Sequence, residues 1–312
     1  MEGWIAKGGL QVVSRDRLRA LSRKSDLAGL LQTASHVGAI VITTIGLLLA
    51  VPAAPWSFVP LFVAQGILIN CLYAGQHELS HWTAFRTKGL NDLVGHVFGL
   101  ATLNPFLTDR WIHFAHHRAT HDPARDPEIM GLGPYTLANY VLDLTGFSFW
   151  WRRITGILRA AAGQGLDGWY WIDSRQRRIV ILEARIHSAL WAALAIASIA
   201  WRSWVVIELW IAPLLLTKWF HQLQNTGEHT GLPHDPDIFV NTRTLRGPAP
   251  MRWLVWNMSW HTAHHCFPAV PFFALPALDA EIRSGLSRPI PTRGYIEAQR
   301  DIFAGMLAAK RG

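Results

Sequence analysis

Histidines in short, repeated spacings are the feature of this sequence that could do chemistry. Ten of the fifteen histidines fall into four clusters, each no longer than nine residues. The clusters are His77 with His81; His113 with His116 and His117; His221 with His229; and His261 with His264 and His265. Neutral imidazole is the commonest metal ligand in proteins. Because one metal ion takes three or four protein ligands, this number of histidines suggests a site for two ions.

The spacing within the clusters places several imidazoles on one face of each predicted helix. His77 and His81 are four residues apart and therefore share a face. The same step recurs in two further stretches, His113–His117–His121 and His221–Asn225–His229. We expect the first of these two helices to end at Asp122, because the residue before a proline is disfavoured in the α region.

The composition indicates a membrane protein. Of the 312 residues, 50% are hydrophobic and 16% are charged, whereas soluble domains carry about 25% charged residues. Sixteen tryptophans fit this assignment, because tryptophan favours the membrane–water interface. The net charge of +8 could indicate nucleic-acid binding, but the basic residues flank apolar runs and form no polar stripe. We therefore expect no nucleic-acid partner.

The two cysteines and the N-terminal residues give little sign of secretion. Cys71 and Cys266 cannot form a disulfide framework of the kind that small secreted domains use. Cys266 follows His265 directly, but the histidines suffice as ligands without it. Five basic residues between Arg15 and Lys24 precede the first apolar run, so we expect no signal peptide.

Two apolar hairpins must position the histidine clusters. The legs cover residues 34–51 and 56–73 in the first hairpin, and 186–201 and 204–220 in the second. Each leg has about 16–20 apolar residues, close to the length that crosses a bilayer. The two short turns carry one charge, Arg202, whereas the other ends of the legs are basic. The bias predicts that the turns lie outside and that both termini lie in the cytoplasm.

The lengths of the hairpin legs also predict the depth of the histidines. His81 lies 26 residues after Pro55, and His229 lies 27 residues after Arg202. At about 1.5 Å per helical residue both sit about 40 Å along the helix, beyond a hydrocarbon core about 30 Å thick. We therefore expect an all-α membrane protein with four transmembrane helices and a cytoplasmic helical cap that carries the clusters.

The whole chain is predicted to be a single integral-membrane domain, 1–312. Two interrupted apolar stretches, Leu93–Phe106 and Tyr135–Trp151, are predicted to lie at the membrane interface. The predicted segments are a basic N-terminal segment (1–33), the first hairpin (34–73), histidine clusters with interfacial helices (77–180), the second hairpin (186–229) and a cytoplasmic C-terminal segment with the last cluster (230–312).

The clusters resemble the histidine boxes of the membrane fatty-acid desaturase/hydroxylase superfamily. Its pattern is HxxxH or a variant one residue longer, then HxxHH, then a late HxxHH, and the resemblance covers about residues 35–280. Asn225 and His229 are also similar to the NxxxH element of acyl-CoA desaturases, in which the asparagine contacts a metal-bound water. The first box is one residue shorter than in acyl-CoA desaturases.

The resemblance implies two iron ions, with dioxygen as co-substrate, and a set of residues to hold them. Imidazole alone would also suit zinc, copper or nickel. The implied metal-binding residues are His77, His81, His113, His116, His117, Asn225, His229, His261, His264 and His265. Groups beside the boxes that could orient these ligands are Glu78, Asp109, His121, Asp122, Asp126, His221 and Glu228. No heme or iron–sulfur motif is visible, so a separate electron donor is expected, of ferredoxin or cytochrome type with its reductase.

The expected activity is the introduction of a double bond into an acyl chain or a similar lipid. Asn225 favours desaturation, and the close alternative is hydroxylation or ketolation of a lipid, a carotenoid or another hydrophobic molecule. His77-Glu-Leu-Ser-His81 also matches the HExxH motif of zinc proteases, with Glu78 as general base. A metal transporter is a further alternative, but it would favour ionisable residues within the spans.

Overall fold

The computed structural model describes residues 12–130 and 135–309. The first eleven residues of the predicted N-terminal segment and the last three of the C-terminal segment lie outside the described residues. The protein is mostly helical, at 71%, as the sequence predicts.

The described residues form fifteen α-helices. They are α1 (Arg15–Leu21), α2 (Asp26–Ala53), α3 (Phe58–Ser80), α4 (Lys88–Ala101), α5 (Phe106–Arg118), α6 (Leu137–Leu144), α7 (Phe147–Ala161), α8 (Ser174–Ala200), α9 (Ala212–Leu216), α10 (Lys218–His229), α11 (Ile238–Asn241), α12 (Ala249–Leu254), α13 (His261–Cys266), α14 (Leu275–Gly285) and α15 (Tyr295–Ala309). Short 3-10 turns cover Pro55–Ser57 and Phe272–Ala274, and a π-helical turn covers Ile207–Ile211. Two strands that the sequence did not predict, β1 (Thr244–Arg246) and β2 (Thr292–Gly294), pair in parallel with Leu245 opposite Arg293.

Three helical segments among the described residues are long and apolar enough to cross a membrane. They are Asp26–Ala53, Pro55–Ser80 and Ser174–Ala200. Helix α2 begins at Ser25, whose side chain accepts a hydrogen bond from the Ala28 N–H, and such a cap satisfies a free backbone donor. Both legs of the first predicted hairpin and the first leg of the second are therefore helices of membrane-spanning length.

The returning leg of the second hairpin differs from the prediction, because it is divided. The π-helical turn, α9 and α10 follow one another, with a break at Thr217. Pro213 has no N–H to bond the Leu209 carbonyl four residues earlier, and Gln65 of α3 donates to that oxygen at 2.9 Å instead. Asn70 of α3 donates to the Leu214 carbonyl at 2.8 Å. The neighbouring helix thus satisfies backbone groups that the break would leave unpaired, as a membrane interior requires.

Helix α3 is the centre of the fold and packs against α2, α4, α5, α9 and α10. Gly66 allows the closest of these approaches, because a Cβ there would lie 2.3 Å from the Pro213 carbonyl oxygen. The fully buried Trp256 packs beside α3 against Phe98 and Phe272 and donates its Nε1–H to His36 Nδ1 at 3.0 Å. His36 is therefore a structural residue of this core and lies apart from the boxes.

Two predicted helical stretches differ from the expectation. Helix α5 ends at Arg118, and His121 has a left-handed φ of 62°, so the prediction that the helix runs to Asp122 is wrong. The Asp126 carboxylate accepts a hydrogen bond from the His121 N–H at 2.8 Å and stabilises this turn. The predicted stretch Tyr135–Trp151 is helical but is interrupted at Gly146, whose φ is 71°.

Candidate metal centre

Five histidines from three distant parts of the chain form the first group, which we call the five-histidine group. One ring nitrogen from each lies within 4.8 Å of all the others. Contacts of 2.8–3.1 Å between Nε2 atoms connect them in the order His77, His264, His117, His113, His81. Helix α3 provides the first box, α5 the second and α13 the third.

Four further histidines form the second group, which we call the four-histidine group. His116, His229 and His265 each offer a ligand atom within 4.8 Å of the other two. The Nε2 atom of His261 lies 3.0 Å from the Nε2 atoms of both His229 and His265. The two groups are adjacent, since the rings of His117 and His265 stack with centroids 4.3 Å apart. The structure thus brings together the nine histidines that the sequence implied as ligands.

The geometry of the nitrogens fits metal ions. His229 gives its Nδ1 proton to the Asn241 carbonyl at 3.0 Å, so its Nε2 lone pair faces His261 Nε2. A cation between these nitrogens would accept the lone pair of His229 together with that of a neighbouring ring. Adjacent nitrogen ligands about 2.1 Å from one ion, at right angles, are about 3.0 Å apart, which matches the observed spacing. The donor set therefore suits two divalent transition-metal ions.

The protonation of the rings also favours ligation. Burial lowers the pKa of His113 and His117 well below the ordinary value, and neighbouring histidines lower it further. Burial is the main cause that lowers the pKa of His229 to about 3, and the charge of His116 is the second. For His116, burial alone would lower the pKa, but Glu128 and Asp126 outweigh it and raise the pKa to about 9. Neutral imidazole is the form that binds metals. Among the nine histidines of the two groups, His116 is the one whose pKa is raised, which favours its charged form.

Two carboxylates predicted to orient the ligands do contact them. Asp126 is fully buried, and its Oδ2 lies 2.8 Å from His116 Nδ1. Glu228 Oε2 lies 3.6 Å from His261 Nε2, and burial raises the pKa of Glu228 to about 8. A carboxylate on the distal nitrogen fixes the orientation of a ligating imidazole, and Asp126 holds that position on His116, whereas Glu228 approaches the His261 nitrogen that faces His229 and His265. The acidic residues Asp126 and Glu228 therefore both belong to the four-histidine side.

The other candidates for this orienting role lie elsewhere. Glu78 accepts a hydrogen bond from the Phe272 N–H at 2.9 Å and contacts none of the box histidines. The carboxylate of Asp122 binds Arg125, and Asp109 accepts from Gln76 at 3.3 Å. A position next to a box in the sequence did not predict contact with a ligand for these residues. The direction in which a side chain leaves its helix decides what it contacts. Among the described residues, none of these three carboxylates forms a hydrogen bond or an ion pair with a box histidine.

His121 and His221 lie beside the centre without joining either group. His121 Nδ1 bonds the Pro233 carbonyl at 3.0 Å, and its ring stacks on His229 with centroids 5.9 Å apart. His221 Nδ1 lies 2.8 Å from Lys218 Nζ. Both rings line the cavity next to the centre.

Sequence reasoning missed three residues that contact the ligands. The Thr120 hydroxyl lies 3.2 Å from His265 Nδ1, and Asn241 accepts from His229 through its backbone carbonyl. Glu128 lies 3.7 Å from His116 Nδ1. Glu128 follows Asp126 by two residues, so its position after the second box was the available signal. Nothing in the sequence pointed to Thr120 or Asn241.

Comparison with known proteins places this chain in a family. Residues 53–294 match the family model described as fatty acid desaturase. The chain belongs to the fatty acid desaturase family. It is 24% identical over 253 residues to the sn-1 oleoyl-lipid 12-desaturase of Arthrospira platensis, covering 73% of this chain and 69% of that protein.

Two other relatives come from different desaturase classes. The chain is 26% identical over 248 residues to the sphingolipid delta(4)-desaturase of Drosophila melanogaster, covering 77% of this chain and 71% of that protein. Over 82 residues it is 37% identical to an sn-1 acyl-lipid omega-3 desaturase (ferredoxin) of Nostoc, covering 25% of this chain and 23% of that protein. These similarities support an oxidoreductase of the desaturase type, in a family of membrane proteins.

This desaturase-family protein has two adjoining cavities. A cavity of about 150 Å³ touches the four-histidine group and is lined by His116, His229 and His261, with Asn225 in its wall. A chamber of about 950 Å³ shares Tyr73 and Asn225 with it. Its apolar wall includes Ile112, Trp150, Ile157, Leu166, Trp169 and Val180. The chamber is large enough for a lipid-like ligand and opens beside the candidate metal centre.

Proposed function

We propose that this protein is a dioxygen-dependent, two-iron oxidoreductase that introduces a double bond into the alkyl part of an acyl or lipid-like substrate. The observation that carries the proposal is the convergence of nine buried or half-buried histidines as two adjacent groups beside a chamber with an apolar wall. Membership of the fatty acid desaturase family supports the same chemistry.

Each of the two histidine groups would bind one metal ion. The five-histidine group would hold one iron and the four-histidine group the other, with Asn225 acting through a bound water on the second. When bound, the irons supply the oxygen-dependent removal of hydrogen. Asp126 holds His116 in its orientation, and the Asn241 carbonyl does the same for His229. The walls of the chamber keep water away from the reacting carbon.

The membrane arrangement is part of the proposal. The three long apolar helices cross the bilayer, and the leg 204–220 forms a fourth, divided crossing, so that chain 1–312 is one integral-membrane domain. Both termini and the metal centre face the cytoplasm. A separate donor delivers the electrons, and the word ferredoxin in the name of the Nostoc relative supports a donor of that type.

The zinc-protease alternative has less support. In that alternative Glu78 would be the general base beside the metal. In the structure Glu78 Oε1 accepts from the Phe272 backbone, and the carboxylate contacts no box histidine. Two groups of histidines would also exceed what one zinc ion needs.

Metal content tests the two-ion assignment. The purified protein should hold about two irons per chain, and His117→Ala or His265→Ala should each lose about one, because each removes a ligand from a different group. His96→Gln is the control, since His96 is half-exposed and pairs with Glu183 at 3.5 Å. Elemental analysis of the three variants measures this. One zinc and no iron in the unaltered protein would contradict the proposal.

Product analysis tests the reaction. Mass spectrometry of lipids and small metabolites from cells that express the chain should show a product lacking two hydrogen atoms. Cells that express His117→Ala are the matched control and should lack the product. A product that gains one oxygen atom would replace desaturation by the hydroxylase alternative.

A further inference from the structure

The chamber carries charge on the side that faces the metal centre. Lys218 and Arg153 line it together with the Tyr73 side chain. The side chain of Lys218 is only 4% exposed, and its Nζ lies 3.6 Å from the centre of the Phe149 ring. The Arg153 guanidinium lies 4.8 Å from the centre of the same ring. Phe149 thus brings two cations into one part of the chamber.

Neither cation is paired with an acid. Among the described residues, no carboxylate lies within 4.0 Å of Lys218 or Arg153. In the described part of the chain, the one hydrogen bond of the Lys218 side chain is to the His221 ring, at 2.8 Å. Asp109 is the acidic group that acts on both cations, and its own carboxylate accepts from Gln76 at 3.3 Å. Two basic side chains therefore line a chamber whose acids, Asp109, Glu128 and Asp143, form no ion pair with either of them among the described residues.

A plain hydrocarbon chain fits this part of the chamber poorly. Placing alkyl carbon against an ammonium and a guanidinium removes water from both charges and gives them no partner, which costs free energy. An anionic oxygen group would instead accept hydrogen bonds from both cations. The Tyr73 hydroxyl, which has no hydrogen-bond partner among the described residues, could donate a third.

We propose that the chamber holds the anionic end of the substrate, a carboxylate or phosphate on a short apolar chain, between Lys218, Arg153 and Tyr73. This inference rests on the proposed desaturase function and narrows its substrate class. The anionic group lies inside the protein and near the metals. Tyr73 is one helical turn before His77, and His221 is two turns before His229, so the site is about 6–12 Å along the helices from the ligands.

The backbone at the start of α7 lies very close to Lys218. Gly146 has a φ of 71°, and a Cβ there would lie 2.9 Å from the Lys218 Cβ. A residue with a side chain would be strained in this conformation and would push Lys218 away. Glycine at this position therefore lets the helix that carries Phe149 and Arg153 begin directly against Lys218.

The test is equilibrium binding, without turnover, to the full-length, metal-loaded protein in neutral detergent. Radiolabelled decanoate is the probe, and decyl phosphate and methyl decanoate are competitors. An anion should bind at least about tenfold more tightly than methyl decanoate, since a charged hydrogen bond contributes that much. Arg153→Gln and Lys218→Gln should each weaken decanoate binding by about tenfold and leave methyl decanoate unchanged. Arg175→Gln removes an exposed charge at the start of α8 and should change neither.

Each outcome decides the inference. Tighter binding of decanoate or of decyl phosphate supports it, and their order tells carboxylate from phosphate. Equal affinity for anion and ester, or full retention of the preference in Arg153→Gln, overturns it. Arg153 is half-buried and its side chain makes no hydrogen bond to the residues that the structure describes, so this variant remains informative if Lys218→Gln does not fold. A preserved anion preference in a protein that gives no desaturated product would overturn the proposed function alone.

Discussion

At the scale of single residues, the partner of each Nδ1 atom distinguishes the histidines. In the four-histidine group, Nδ1 of His116 faces a carboxylate and Nδ1 of His229 a backbone carbonyl. In contrast, Nδ1 of His117, His261 and His264 has no partner among the described residues. The first two rings are fixed by strong hydrogen bonds, and the other three are oriented by ring packing. Among the residues that contact a ligand without facing the metal site, Asp126 should therefore have the largest effect on metal binding.

Asp126→Asn should weaken metal binding at the four-histidine group. The amide keeps the shape of the carboxylate but loses its charge and part of its capacity to accept hydrogen bonds from His116 and His121. Loss of such a partner costs about 10–100-fold in metal affinity. A competitive iron titration measures it, with Asp122→Asn as the control because Asp122 contacts Arg125 and no box histidine. Equal affinity in the two variants would show that Asp126 does not support the centre.

At the scale of elements, close packing of α3 against the divided leg sets the height of the histidines. Gln65 and Asn70 of α3 bond carbonyls in that leg, and Gly66 lies between them. The same helix carries His77 one turn from its end, and α10 follows the divided leg and ends at His229. A displacement of α3 from this leg would therefore separate the first box from His229.

Gly66→Ala should destabilise the protein. The added Cβ would lie 2.3 Å from the Pro213 carbonyl oxygen and 2.4 Å from Thr217 Oγ1, and backbone cannot move cheaply at such a contact. Overpacking of this kind costs about 1–3 kcal/mol. Gly38→Ala is the matched control within α2, because a Cβ there meets nothing within 4 Å. Thermal unfolding in detergent measures both; a lower midpoint in Gly38→Ala than in Gly66→Ala would refute the packing argument.

At the scale of the whole molecule, exposed tryptophans lie at the turns of both predicted hairpins. Trp56 lies at the turn of the first hairpin and Trp201 at the turn of the second, and both are 80% exposed. Trp204, also exposed, follows the second turn. Exposed tryptophans at helix ends are typical of the membrane–water interface. These tryptophans are consistent with the proposed topology, in which both turns lie at one face of the membrane and the boxes lie toward the opposite ends of these helices.

Thiol labelling should reveal which face is outside. Both native cysteines are buried, so a new exposed cysteine supplies the signal. A membrane-impermeant reagent should label Ala53→Cys, at the turn of the first hairpin, in intact cells. It should label Arg19→Cys only after permeabilisation, because the basic N-terminal segment is predicted to be cytoplasmic. The reverse pattern would contradict the proposed orientation.

The amino-acid sequence by itself determined what depends on residue type and local spacing. Four histidine clusters, long apolar legs and basic flanks predict a membrane protein of this family, and the family match confirms it. These inferences succeed because helical periodicity and hydrophobic length act over a few residues. The predicted end of α5 failed because a contact from Asp126 competes with the proline signal.

Only the tertiary structure decided which histidines share a group. His116 and His117 are neighbours in sequence, yet they belong to different groups, because adjacent helical positions point in directions about 100° apart. The contacts of Thr120, the distance of Glu78 from the centre and the meeting of Lys218 with Arg153 likewise depend on helices that are far apart in the chain. Such contacts arise from packing between distant segments, which local sequence patterns do not encode.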